Sequence, residues 1–167
     1  MKKKVFCLLL SAMCALLLCG CGRTEYLRIH IRAHSNASCD QAVKLCVRDA
    51  VVDYLTPYLA TKTTLEGAIG AVEEHREDIE SVANNVLRQQ GYAYRATARV
   101  DREYFPTRAY GSLTLQSGVY DALILELGSG EGDNWWCVAY PPLCFGGGGN
   151  AEVRSWLWDW ITSWGEV

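Results

Sequence analysis

The sequence predicts an α+β fold in a single domain, with a mostly antiparallel sheet and two or three helices packed on one of its faces. Two segments alternate in sequence, as half-buried strands do, and two segments between them space their apolar residues as helices do. The predicted order of strand, helix, helix, strand, loop, strand, strand, helix favours helices gathered on one side of a sheet. The chain has 167 residues, 50% of them hydrophobic, which suffices for one core.

The first strand and the first helix follow from local patterns. Apolar and basic residues alternate over Tyr26–Ala33, which predicts a strand with one buried face and one outward face. Ser38 followed by Gln41 matches a capping box and predicts a helix start. We expect this helix to end near Thr56, because Pro57 lacks the N–H that would continue it.

A second helical segment and a second strand come next. Thr63 with Glu66 predicts another capping box, and an apolar stripe that runs on to Leu87 predicts one long helix. Gly91 stands where a left-handed C-terminal cap is expected. Renewed alternation predicts a strand over Tyr92–Asp101.

The last third of the sequence predicts two further strands and a helix. Val119–Leu127 and Trp135–Tyr140 flank the glycine-rich turn Gly128–Asp133, which favours an antiparallel hairpin. Gly146–Gly149 is a spacer within the segment 146–167, and a tryptophan-rich helix over Ala151–Ser163 follows it. This helix either docks on the sheet or presents an aromatic surface to a membrane or a partner.

The first 22 residues have the pattern of an export signal. Lys2–Lys4 precede the apolar run Val5–Leu18, which is shorter than the roughly 20 residues that span a bilayer. Leu18-Cys19-Gly20-Cys21 resembles a lipoprotein box, with Cys21 as the residue that would carry lipid. Two alternatives stay open, namely ordinary cleavage after Gly20 or Gly22, and an uncleaved anchor. The expected folded domain is then residues 23–145.

Four cysteines fall in the expected folded domain. Cys137 and Cys144 are seven positions apart, and a turn at Pro141-Pro142 can bring them within disulfide reach. Export favours a disulfide between them, because disulfides persist outside the cytoplasm. The alternative is two buried free thiols. Cys39 and Cys46 would lie about 10.5 Å apart along a helix, too far for a bridge. We expect Cys39 to be exposed and Cys46 to be a core residue, although pairing with the other two cysteines stays open.

The sequence offers little for catalysis, metals or nucleic acid. Neither cysteine pair has the short spacing of structural zinc sites, so no metal or other cofactor is expected. The three histidines, His30, His34 and His75, are expected on solvated faces, with no recognisable nucleophile beside them. Without Lys2–Lys4 of the leader, the chain has 13 basic and 19 acidic residues, a net charge of −6. This acidic balance argues against nucleic-acid binding. We expect no enzyme activity and no small-molecule substrate.

Three motif blocks resemble the stage II sporulation protein R family of endospore-forming bacteria. The blocks are Leu27–His30 with Ala33, Ser35, Asp40, Gln41, Lys44 and Val47–Ala50; Phe105–Gly111 with Gly118, Tyr120, Ala122 and Leu123; and Gly128, Gly130 and Gly132 with Asn134–Val138 and Pro141–Phe145. The third block, with its paired tryptophans, paired prolines and two cysteines, is highly specific.

The resemblance implies a signalling role. Members of that family are made in the forespore and exported into the space between forespore and mother cell, where they trigger a membrane-embedded aspartic protease of the mother cell. That protease removes the inhibitory pro-sequence of sigma-E. The alternatives are a lipid-anchored extracytoplasmic binding or assembly module and a cell-envelope hydrolase.

Candidate partner contacts are Arg108, Tyr110 and Trp136. Exposed arginine and aromatic side chains contribute most of the binding energy at protein interfaces. The alternative is that Phe105–Gly111, which contains two of the three, is only a packed surface loop.

Overall fold

The computed structural model describes residues 26–143, and within them the predicted α+β single-domain fold is confirmed. The elements in chain order are β1 Leu27–Arg32, α1 Ser38–Leu59, α2 Leu65–Glu74, α3 Arg76–Gln89, β2 Ala96–Phe105, β3 Arg108–Tyr110, β4 Leu113–Leu115, β5 Gly118–Leu127 and β6 Asn134–Tyr140. Cys21, Cys144 and the expected C-terminal helix lie outside the described residues. Among residues 26–143, no helix combines the length and the apolar character needed to cross a bilayer.

Four strands form one sheet in the order β2-β5-β1-β6, and β3 pairs with β4 in a sheet of their own. The predicted hairpin of β5 with β6 is wrong, because β1 lies between them, parallel to β5 and antiparallel to β6. Strands are spaced about 4.8 Å apart, so the six residues between β5 and β6 are long enough to pass over one strand. β1, with five of its six residues buried, gains a pairing partner on each side.

The first helix differs from its prediction at both ends. Its N-cap is Ala37, which makes no side-chain cap, so the expected capping box of Ser38 with Gln41 is wrong. The side chain of Gln41 donates instead to the carbonyl of Ser35, at 2.8 Å. Pro57 lies inside the helix, which continues to Leu59 because that side chain is buried in the core.

The second helical segment is two helices and not one. The helix is broken at His75, whose φ of −95° and ψ of 9° separate α2 from α3. The ring of His75 packs 3.8 Å from that of Tyr58, and its Nδ1 lies 3.1 Å from the hydroxyl of Tyr54, so contacts with α1 occupy the break. The N-cap of α2 is Thr64, not Thr63, and it accepts a hydrogen bond from the amide of Gly67.

The chain passes from the end of α3 into β2, which is an edge strand of the sheet. Gly91 has the predicted left-handed conformation, with φ of +79°. β2 begins at Ala96, four residues later than predicted. The side chain of Asn84 bonds both backbone groups of Ala96, and Glu80 accepts from the amide of Ala98, so α3 satisfies the first part of this edge strand.

The helices pack on one face of the sheet, as predicted. Their apolar side chains join those of Leu27, Ile29 and Ile31 in the main core. A second, smaller core lies on the opposite face, around Phe105 and Tyr120. We call this second side of the four-stranded sheet the helix-free face.

Candidate partner-binding face

The helix-free face exists because β1 alternates. Leu27, Ile29 and Ile31 point to the helices, so Arg28 and His30 must point the other way. Sequence reasoning expected this outward side to be solvated, and for these two residues that is wrong. Arg28 is 0% exposed and His30 is 5% exposed.

A hairpin formed by β3 and β4 belongs to this face. Arg108 pairs with Leu115 and Tyr110 with Leu113, and Gly111 makes the turn with φ of +59°. Leu115 is buried. The segment predicted either to bind a partner or to be a packed loop is therefore a strand and turn whose side chains reach the helix-free face.

One part of the helix-free face, which we call the ion-paired half, matches every charge with an opposite one. Nδ1 of His30 lies 2.7 Å from Oε2 of Glu103, and the other oxygen of that carboxylate accepts from Arg32. Arg32 also donates to Glu126 at 2.6 Å, and the guanidinium of Arg99 lies 3.0 Å from the carboxylate of Glu126. Two acidic and two basic side chains, with His30, thus form one network across β1, β2 and β5.

The neighbouring part, which we call the unpaired half, is centred on Arg28. Its guanidinium carbon lies 4.2 Å from the ring centre of Phe105, 5.0 Å from that of Tyr120 and 5.6 Å from that of Tyr110. Nη2 donates to the hydroxyl of Tyr110. Nε and Nη1 are buried and have no hydrogen-bond partner. Burial lowers the pKa of Arg28, while the two tyrosines act in the opposite direction.

The aromatic rings offset part of the cost of burying Arg28 but supply no hydrogen-bond acceptor. A cation–π contact contributes about 0.5–2 kcal/mol, so three rings together contribute about 1.5–6 kcal/mol. Removing an unpaired ion from water costs several kcal/mol, and each unsatisfied donor adds about 1–3 kcal/mol. The Nε–H and Nη1–H groups of Arg28 therefore remain without an acceptor.

Arg108 and Trp136 complete the unpaired half. The guanidinium carbon of Arg108 lies 4.1 Å from the ring centre of Trp136, and Arg108 is exposed. The indole Nε1–H of Trp136 is buried without an acceptor. The structure thus brings together Arg108, Tyr110 and Trp136, the three residues that the sequence singled out, and places Arg28 beneath them.

Sequence reasoning missed Arg28 as a site residue. The alternation of Arg28 with apolar neighbours on β1 predicts only a strand with one solvated face. In the structure β5, the parallel partner of β1, places Ala122 and Ile124 opposite Arg28 and His30, a pairing that the sequence did not predict. Apolar neighbours across the ladder indicate burial for the whole face.

Two kinds of catalytic arrangement can be looked for among the described side chains of this face. A histidine oriented by a carboxylate is part of many hydrolytic sites, yet the Nε2 of His30 is buried and without a hydrogen-bond partner. No hydroxyl or thiol among residues 26–143 therefore stands in the position of a nucleophile activated by His30. Over the same range, no group of three or more His, Cys, Asp or Glu side chains could hold a metal ion.

Cys39 and Cys46 lie on α1, which packs on the other side of the sheet from the unpaired half. Cys39 is exposed as expected, and the expectation that Cys46 is a core residue is wrong, since it too is exposed on α1. The buried side of α1 is formed by valines and leucines spaced four apart, such as Val43 and Val47, and Cys46 falls beside that stripe. Cys137 is buried on β6, and its predicted bridge to Cys144 involves a residue outside the described range and stays a prediction.

Fold and face together define a small α+β protein with a cluster of arginine and aromatic side chains on the helix-free face of its sheet. The family model described as stage II sporulation protein R matches residues 23–148, and the chain belongs to that family. It is 34% identical over 129 residues to stage II sporulation protein R of Bacillus subtilis (strain 168), an alignment that covers 77% of this chain and 58% of that protein. The chain thus spans less than two thirds of its relative. No solved structure matches it.

Proposed function

We propose that this sporulation protein is an exported signal that activates a membrane-embedded aspartic protease of the mother cell, and so leads to cleavage of pro-sigma-E. Membership of the stage II sporulation protein R family supports a role in sporulation. The export signal predicted for residues 1–22 supports action outside the cytoplasm of the cell that makes it. In this proposal the chain has no catalytic site of its own.

The observation that carries the proposal is the gathering of Arg28, Arg108, Tyr110 and Trp136 on one face. Arginine, tyrosine and tryptophan are the residues most enriched among those that dominate binding energy at protein interfaces. Here the exposed Arg108 stacks on the half-buried Trp136, which presents a rigid, charged and aromatic surface. Such a surface suits a protein partner.

Activation by such a surface needs only selective binding. If the protease exists in inactive and active conformations, a ligand that binds the active one more tightly raises its population. A shift from 1% to 99% active requires a preference of about 10⁴-fold. An exported protein can supply that preference from across the intermembrane space without performing chemistry.

Export itself has a separate test. In the proposal the chain leaves the forespore for the intermembrane space, either free after cleavage or held at a membrane by lipid on Cys21. Mass spectrometry of the mature N-terminus distinguishes the two outcomes. A Cys21 that carries no lipid would remove the lipid anchor and leave the free secreted form.

The activity is tested by reconstitution in a bacterium that does not sporulate. The protease and pro-sigma-E are expressed with the full chain, with the chain lacking residues 1–22, or without it, and cleavage is followed by immunoblot. We expect cleavage only when the full chain and the protease are both present. Cleavage by the chain without the protease, or equal cleavage by the protease without the chain, would contradict the proposal.

A further inference from the structure

Arg28 has a hydrogen-bonding capacity that the fold does not use. A guanidinium carries five N–H donors. Only Nη2 of Arg28 has an acceptor, the hydroxyl of Tyr110, while Nε and Nη1 are buried without one. The missing partner must therefore be an acceptor.

The missing partner must also be negatively charged. Among residues 26–143, no carboxylate forms an ion pair with Arg28 or with Arg108, whereas Arg32 on the same strand pairs with two. Arg108 lies two residues before Tyr110, the hydrogen-bond partner of Arg28, on the same face of β3, and its charge contributes to lowering the pKa of Arg28. Two neighbouring cations and the free indole N–H of Trp136 make this region complementary to an anion.

We propose that Arg28 and Arg108 form a carboxylate site, which takes the side chain of an aspartate or glutamate from a partner protein. The carboxylate would accept hydrogen bonds from Nε–H of Arg28, which has no acceptor, and from Nη2–H in place of the Tyr110 hydroxyl. The exposed Arg108 would contact it at the entrance. The inference rests on the proposed function in one respect, because a protein partner makes the anion a carboxylate.

The β3–β4 hairpin controls access to this site. Two of its contacts with the sheet are made by the site residues themselves, through Tyr110 to Arg28 and through Arg108 to Trp136. A further hydrogen bond, from the amide of Ser117 to Thr107, ties its base. An entering carboxylate would replace the hydroxyl of Tyr110 as acceptor, so the hairpin can move aside while Arg28 remains hydrogen-bonded.

The probe that tests the site is capped glutamate, N-acetyl-glutamate methylamide, added to the full exported chain labelled with ¹⁵N. The signals to follow are Nε–H of Arg28 and Nε1–H of Trp136. We expect both to move saturably with capped glutamate and to stay in place with capped glutamine, the neutral isostere, at matched ionic strength. Inorganic phosphate is added in a separate titration.

Two variants make the test specific and avoid altering the buried arginine. Arg108→Gln should weaken the binding of capped glutamate about tenfold, the usual scale for one charge-assisted contact. Arg102→Gln is the control variant. It removes an exposed arginine of β2 and should leave the binding of capped glutamate unchanged. Equal weakening in both variants would mean general charge attraction and would overturn the proposal.

The remaining outcomes separate the site from the function. No movement with capped glutamate, equal movement with capped glutamine, or tighter binding of phosphate would each overturn the carboxylate site, while cleavage of pro-sigma-E in the reconstituted host could still stand. Specific carboxylate binding together with a chain that fails to promote cleavage would support the site and contradict the proposed function.

Discussion

The ion-paired half and the unpaired half of the helix-free face adjoin each other on β1, but only the first pairs its charged side chains with opposite charges. Arg32 meets Glu103 and Glu126, and His30 meets Glu103. Arg28, two residues before His30, meets three aromatic rings and one hydroxyl. The fold thus satisfies one group of charges internally and leaves two donors of the other without an acceptor. The first half should serve stability and the second should serve binding.

The largest effect on stability should come from the ion-paired half. Glu103→Gln leaves Arg32 with one carboxylate and His30 without a charged partner, and should lower the free energy of unfolding by about 2 kcal/mol. Urea unfolding followed by circular dichroism measures this. Glu131→Gln, in the exposed turn before β6, is the control and should change it by less than about 0.5 kcal/mol. Equal small effects would remove the distinction between the halves.

Asp40 on α1 gives a reference for a buried charge that is fully satisfied. Its carboxylate accepts from Ser35 at 2.5 Å and from Tyr94 at 2.7 Å, and these two hydrogen bonds hold its pKa below the ordinary value. Asp40→Asn should cost somewhat less than Glu103→Gln, about 1.5 kcal/mol at pH 7.

The pH dependence of that cost has a defined sign. A carboxylate with a lowered pKa contributes stability above its unfolded pKa, about 3.9, and loses it as pH falls through the folded value. The difference in unfolding free energy between the wild type and Asp40→Asn should therefore shrink from pH 7 toward pH 2. A difference that stays constant with pH would contradict the assigned role of the carboxylate.

Arg28→Met should differ from Glu103→Gln in the sign of its effect on stability. Replacing an unpaired buried ion with an apolar side chain of similar volume is often neutral or stabilising. We expect the free energy of unfolding to stay the same or to rise by about 1 kcal/mol, although binding is lost. Urea unfolding checks this, and a loss comparable to that of Glu103→Gln would show that Arg28 serves the fold.

Arg108→Gln should have the smallest effect on stability. Arg108 is exposed, and its described cation–π contact is with Trp136. The free energy of unfolding should therefore change by less than about 0.5 kcal/mol. Thermal unfolding alongside Arg102→Gln gives the comparison. A clear drop for Arg108→Gln alone would assign the hairpin contact a structural role.

The sequence predicted those features of the fold that short stretches of chain determine. The alternation of β1 and the left-handed cap at Gly91 depend on neighbouring residues and were correct. The order of strands was not, because the insertion of β1 between β5 and β6 depends on which long-range pairing buries most apolar surface. The break at His75 likewise depends on tyrosines of α1, about 20 residues earlier in the chain.

The candidate site was predicted in part for the same reason. Arg108, Tyr110 and Trp136 could be chosen by residue type, since arginine and aromatic side chains dominate interfaces. Arg28 could not, because its burial depends on a hairpin about 80 residues later in the chain, whose Tyr110 bonds its guanidinium. Only the assembled structure shows that its other donors are left without acceptors.

The decisive measurement is cleavage of pro-sigma-E by the reconstituted protease when the Arg108→Gln or the Arg102→Gln variant is exported in equal amounts. We expect strongly reduced cleavage with the first variant and normal cleavage with the second. Normal cleavage with Arg108→Gln would show that the unpaired half of the helix-free face is not where the chain acts.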